Sequence, residues 1–183
     1  MNYLCDMHKV ILLLCTAILL YSCGTQSKKS SLTEKFSSDS LHLFLQFPSD
    51  WEVLKNPKDP QSVAFVQKAG NKQDSYQENI VFWLEEMPMS VTDSVYLQAS
   101  VTQLKIANPE LNIIKKGKVK LGNYDFSSFS FDMQGKKNVA YAITGYCLVI
   151  GQRGYNFSCT ALKPDMPQYL PLFQDIISTF KPL

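Results

Sequence analysis

Histidine is almost missing from this chain. Its 183 residues include two, His8 and His42, whereas a metal centre asks for three or four His, Cys, Asp or Glu ligands at recognisable spacing. Any Ser–His–Asp or Cys–His chemistry beyond the leader would have to use His42, which reads as the polar face of an alternating strand. No Gly-x-Ser-x-Gly elbow, Gly-x-Gly-x-x-Gly turn or Walker loop is present. Glu85 and Glu86 are adjacent, so on a strand they project to opposite faces and cannot converge on one substrate. An excess of charge of one sign is lacking too: 18 basic against 16 acidic residues give a net charge of +2. Such a balance excludes a polycation built for nucleic acid, and 45% apolar residues fit a globular domain. No catalytic residue, metal or cofactor is expected, and the chain reads as non-enzymatic.

A long apolar run is the next absence. Val10 to Tyr21 spans about a dozen residues, short of the roughly 20 that cross a bilayer as a helix. With Lys9 in front and small residues behind, it has the three-part form of a cleavable secretory signal. Its end, Leu20-Tyr21-Ser22-Cys23, resembles the lipobox of bacterial lipoproteins, with Tyr21 departing from the usual small residue. The resemblance implies diacylglycerol on the Cys23 sulfur, removal of residues 1–22, and acylation of the new amino group. Several chains matter, because one acyl chain holds a protein only marginally. Gly24 stands where an aspartate would imply retention in the inner membrane, so the expected address is the outer membrane, facing the periplasm.

Cys5 and Cys15 would leave with the leader, and residues 23–183 suffice for one domain with a real core. From Gly24 the chain reads GTQSKKSSLTEKFSSDS, poor in apolar residues and rich in serine. Residues 23–38 are therefore expected to be a flexible tether, and 39–183 a single globular domain. Strands follow from period-two alternation at Leu41–Phe47, then at 51–54, 63–66, 79–84, 112–120, 124–133, 138–150 and 155–162. Ser90-Val91-Thr92-Asp93 reads as a capping box for a helix to about Ala107, with Leu97, Val101 and Leu104 facing the sheet. Met166, Leu170, Phe173, Ile177 and Phe180 make the stripe of a closing helix, with Asp165 able to cap it and Pro167 in its first turn. Strands and helices do not alternate regularly, so the expected class is α+β with a central antiparallel sheet flanked by helices.

Three features invite a functional reading. In KKGKVK, Lys116, Lys118 and Lys120 would share one strand face; they can serve phosphate or lipid headgroups, or guard a sheet edge. Cys147 and Cys159 both fall on apolar parities. If Gly151–Tyr155 forms a turn closed by a Gly154 bulge, 151 pairs with 155 and the two cysteines stand opposed, as two buried thiols or as a disulfide. Aromatics such as Phe82 and Trp83 could line a pocket for a small apolar ligand, or simply be core.

Several landmarks together resemble the family of the photosystem II extrinsic protein PsbP and its bacterial relatives. Phe47-Pro48-Ser49-Asp50-Trp51 is similar to that family's turn after the first strand. Leu121-Gly122-Asn123-Tyr124 is similar to its glycine turn after the first helix. Tyr169-Leu170-Pro171-Leu172-Phe173 with Ile176 to Lys181 is similar to its closing helix. The likeness covers about residues 39 to 182 and implies an antiparallel sheet between helices. Function does not carry over with a fold, but members of this one mostly bind proteins or act as accessory subunits, so an accessory or protein-binding role with an unidentified protein partner is expected. The expected membrane contact, through Cys23, follows from the lipobox instead. A periplasmic carrier of a small apolar ligand is the alternative.

Overall fold

The computed structural model describes residues 31–70, 76–135 and 138–183. The leader, Cys23 and most of the expected tether lie outside the described residues. Seven antiparallel strands form the main sheet: β3 (Trp51–Lys55), β4 (Ser62–Gln67), β5 (Asn79–Glu86), β6 (Ile113–Leu121), β7 (Tyr124–Gln134), β8 (Ala140–Ile150) and β9 (Arg153–Leu162), in the order β3-β4-β5-β9-β8-β7-β6. A smaller sheet of β1 (Glu34–Ser38), β2 (Leu43–Phe47) and β10 (Lys181–Pro182) has β2 at its centre. Two helices complete the described elements, α1 (Asp93–Ala107) and α2 (Met166–Ser178).

Side-chain parity decides which layer covers which face. Phe65, Ile80, Phe82, Phe126 and Phe157 of the main sheet meet Leu43 and Leu45 of the small sheet and Phe173, Ile176 and Ile177 of α2 in one core. The opposite face buries Phe129, Phe131 and Ile143 under Val101 of α1, with Leu97 and Leu104 alongside. The layers therefore run α1, main sheet, then α2 with the small sheet. Among the described residues, every strand, both helices and the core they share lie between Leu32 and Leu183. The α+β class, the antiparallel sheet and the flanking helices agree with the sequence reading.

Four local expectations are corrected. The tether was expected to reach residue 38, but Glu34–Ser38 is strand β1, paired antiparallel with β2. Phe36 is its one buried side chain, so no alternation announces it; Leu32 already packs on the core. The cap of α1 is Thr92 rather than Ser90: Val95 N–H donates to Thr92 Oγ1 at 3.3 Å. His42 lies in a turn with φ 45° rather than on a strand face, and its Nδ1 sits 2.9 Å from the Leu183 carbonyl oxygen.

The fourth correction concerns the cysteines. Ile150 pairs with Arg153, leaving a two-residue turn in which Gly151 takes φ 63°, the left-handed conformation glycine tolerates. The bulge at Gly154 does not form, so Cys147 pairs with Asn156, and Cys159 with Thr144. Residues 156 and 159 have opposite parity, which puts the two sulfurs on opposite faces of the sheet. Both are free and buried, Cys159 in the α2 core and Cys147 on the α1 face.

Burial first, and Asp93 second, push the Cys147 thiol from 9.0 up to about 12, and burial pushes Cys159 well up. At pH 8 only roughly one Cys147 in ten thousand is thiolate. Native protein should therefore be silent to Ellman's reagent at that pH, while unfolding without reductant releases two reactive thiols from the domain. One thiol or none on unfolding would contradict the register. The unfolded chain loses these protons near pH 9 and the native chain holds them, so stability is full below pH 9 and falls as pH climbs towards 12. Urea midpoints at pH 8 and 10.5 test the sign.

Candidate binding groove beside helix α1

β5 ends in Leu84-Glu85-Glu86, and Met87 to Val91 carry the chain across to α1. Pro88 cannot donate to a ladder, and Met87 N–H instead donates to the Gln152 carbonyl at 2.8 Å. The helix is then fixed to the sheet by its first turn, where Val149 N–H donates to Asp93 Oδ1 at 2.7 Å. Between connection and helix lies a groove of about 220 Å³. Met87, Met89, Val95 and Ala99 provide apolar walls, and Glu85, Tyr96, Ser100 and Gln103 the polar positions. Met89 and Val95 are 64% and 58% exposed.

The inner end of the groove is a hydrogen-bonded chain. Asn156 Nδ2 donates to the Tyr96 hydroxyl at 2.6 Å, and Tyr96 donates in turn to Glu85 Oε2 at 2.5 Å. Asn156 also reaches the carbonyls of Gly154 at 3.3 Å and Trp83 at 3.5 Å. Gly154 is required here by space: a Cβ would stand 2.5 Å from the Tyr96 ring. Burial, followed by the bond to Glu85, pushes the Tyr96 phenol well above its ordinary 10.0, so it remains a donor at any physiological pH. The Glu85 carboxylate is thereby held at the groove in one orientation. Tyr96→Phe leaves buried Asn156 with only its two longer contacts and is expected to cost about 1–3 kcal/mol. Urea unfolding of the variant measures this.

The features singled out in the sequence are dispersed. Cys23 lies outside the described residues. Cys147 is beneath α1, Cys159 in the opposite core, and His42 on the small sheet. Phe82 is fully buried in the aromatic core, whereas Trp83, one residue on, faces the other side with Asn156; the two cannot line one pocket. Lys116, Lys118 and Lys120 do share a face, paired with Phe129, Ser127 and Asp125. Glu85, Tyr96 and Asn156 were missed, and only the break at Met87-Pro88-Met89 and one asparagine inside an apolar strand hinted at them. Among the described residues no cluster of three His, Cys, Asp or Glu could hold a metal, and no helix is long and apolar enough to cross a membrane.

No family profile matches the chain, and no curated protein does. Solved structures do. Cyanobacterial PsbP from Synechocystis superposes with TM-score 0.61 at 12% identity, covering 88% of this chain and 99% of that one. LpqN of Mycobacterium tuberculosis, described as involved in cell envelope biogenesis, gives 0.59 at 17% identity over 76% and 83%. A protein from Bacteroides thetaiotaomicron gives 0.56 at 17% identity; the match covers 84% of this chain but only 49% of that one, so this chain spans about half its length. At identities this low the likeness is one of architecture, and the architecture is PsbP-like.

Proposed function

We propose that this chain is a lipid-anchored protein of the cell envelope, held in the outer membrane by acyl chains on Cys23, whose PsbP-like domain binds a protein partner and performs no catalysis. The observation that carries the reading is Leu20-Tyr21-Ser22-Cys23, placed only eleven residues ahead of the first residue of β1, Glu34. An acylated Cys23 therefore keeps the domain within roughly 40 Å of the bilayer, the reach of that much extended chain. The groove supports the binding half. Exposed methionine and valine beside a fixed carboxylate make an adaptable apolar surface with one polar anchor. Its volume of about 220 Å³ is below the range of roughly 300–1,000 Å³ typical of small-molecule sites. That favours a partner's side chain over an enclosed apolar ligand.

Cys23→Ala should accumulate as uncleaved precursor without incorporated fatty acid. Normal maturation of that variant would end the anchoring reading. A photo-crosslinking residue at Val95 should then join the wild-type anchored protein to a discrete partner that the same residue at Lys58 does not reach. Equal products from both positions would end the binding half.

A further inference from the structure

The other flank of α1 carries a different surface. β6 is one of the two edge strands of the main sheet, paired among the described residues with β7 alone. Its register turns Lys116, Lys118 and Lys120 to the face that carries α1, and Lys116 Nζ donates to Gln98 Oε1 of that helix at 3.3 Å. Lys105 lies two helical turns beyond Gln98 on the same side, since residues seven apart nearly eclipse. All four ammonium-bearing residues are exposed. Beyond Lys116 the strand is bulged between Ile113 and Lys115; Ile114 in that bulge and Ile106 in the last turn of α1 are 60% and 75% exposed. These ends of β6 and α1 come together because Leu104 of α1 and Ile113 of β6 pack on the same Phe129–Phe131 cluster.

Among the described residues no carboxylate lies within ion-pair distance of a lysine of this strip. The ion pairs among the described residues are Arg153–Glu86 and Lys163–Asp132, and neither includes a lysine of the strip. Glu110, in the α1–β6 connection, and Asp125, opposite Lys120, are the nearby carboxylates. Lysines alone on an edge would serve to block edge-to-edge pairing. That task has no use for two isoleucines more than half exposed at the end of the same strip. Cations beside apolar tips instead match a lipid surface: lysines pair with anionic headgroups, and short apolar side chains enter the boundary below them.

We propose that the strip Lys105, Lys116, Lys118 and Lys120, with Ile106 and Ile114, docks the domain directly on an anionic bilayer surface. This contact is independent of acylation at Cys23. It is tested on unacylated residues 24–183, which contain the whole described core, by co-sedimentation with vesicles. Phosphatidylcholine vesicles containing phosphatidylglycerol at about a third of the lipid should bind the domain at low salt, and pure phosphatidylcholine should bind it far less. The advantage should be about fivefold for each lysine that reaches the surface and should fade as salt rises. Lys116→Glu/Lys118→Glu/Lys120→Glu, at exposed positions and checked for an unchanged circular dichroism spectrum, should sediment no more than on the neutral vesicles. Ile106→Ser/Ile114→Ser should weaken binding while leaving its salt dependence in place. Equal sedimentation on the two compositions, or a triple-lysine variant that binds like the parent, would overturn the proposal. Retention on heparin without vesicle binding would overturn it too, assigning the strip to a soluble polyanion.

Discussion

Gly122→Ala is expected to lower folding stability by about 3 kcal/mol, from two costs that act at one atom. Gly122 joins β6 to β7 with φ 59°, and an L-residue in that region costs roughly 1–2 kcal/mol. The added Cβ would also stand 2.1 Å from the carbonyl oxygen of Ser178. That neighbour is backbone at the end of α2, directly after the buried Ile176 and Ile177, so it cannot swing aside as a flexible side chain would. Overpacking of this kind adds roughly 1–3 kcal/mol. Urea unfolding should show a lower midpoint at unchanged slope. A loss under about 1 kcal/mol would mean that the turn and the helix end move apart freely, contrary to the packing described.

Phe157→Ala should cost more, about 3–5 kcal/mol. The ring lies at the centre of the sheet's α2 face, with centroids at 5.1 Å from Phe82, 5.9 Å from Phe126 and 5.6 Å from Phe180. Phe180 in turn meets Tyr124, Phe126 and Tyr155, so the cavity left by truncation is walled by rings already committed to one another. They cannot collapse into it without giving up edge-to-face contacts of their own. Phe157→Leu should recover more than half of the loss. If alanine and leucine cost the same, the site would be responding to ring geometry rather than to lost volume.

The packed interior is the part of this molecule that the sequence displays. Leu43, Leu45 and Phe47 alternate along β2, and Met166, Phe173 and Ile177 form a helical stripe, because burial against one partner layer imposes a period of two or 3.6. Where that imposition is weak, so is the signal. β1 buries Phe36 and little else, and EKFSS reads as tether. Glycines at 151 and 154 are compatible with a bulged turn as well as with the two-residue turn that forms; the bulged turn sets Cys147 opposite Cys159, whereas the actual register pairs them with Asn156 and Thr144. The groove was illegible for another reason. Glu85, Tyr96 and Asn156 are joined by the fold across 11 and 60 positions, and no local pattern encodes such a meeting. The lysine strip was half visible: alternation set its face, but the exposed isoleucines beside it emerge only from the approach of α1 to β6.

Strand β1 also bears on how a tethered domain would respond to tension. In a protein held at Cys23, a pull from the membrane would first meet Leu32, which packs on the core, and then β1 at Glu34, which pairs with Phe47 at the far end of β2. Tension directed along the strand would load the whole β1–β2 ladder in shear, its hydrogen bonds sharing the force rather than parting one by one. Phe36 acts as a detent in that joint, its ring edge-on to Phe65 at 5.4 Å and covered by the Lys55 ammonium at 5.5 Å. Five residues that look like the end of a leash thus form a mechanical coupling, through which a pull on the N-terminal side would be passed to β3 and β4 of the main sheet by way of Phe36.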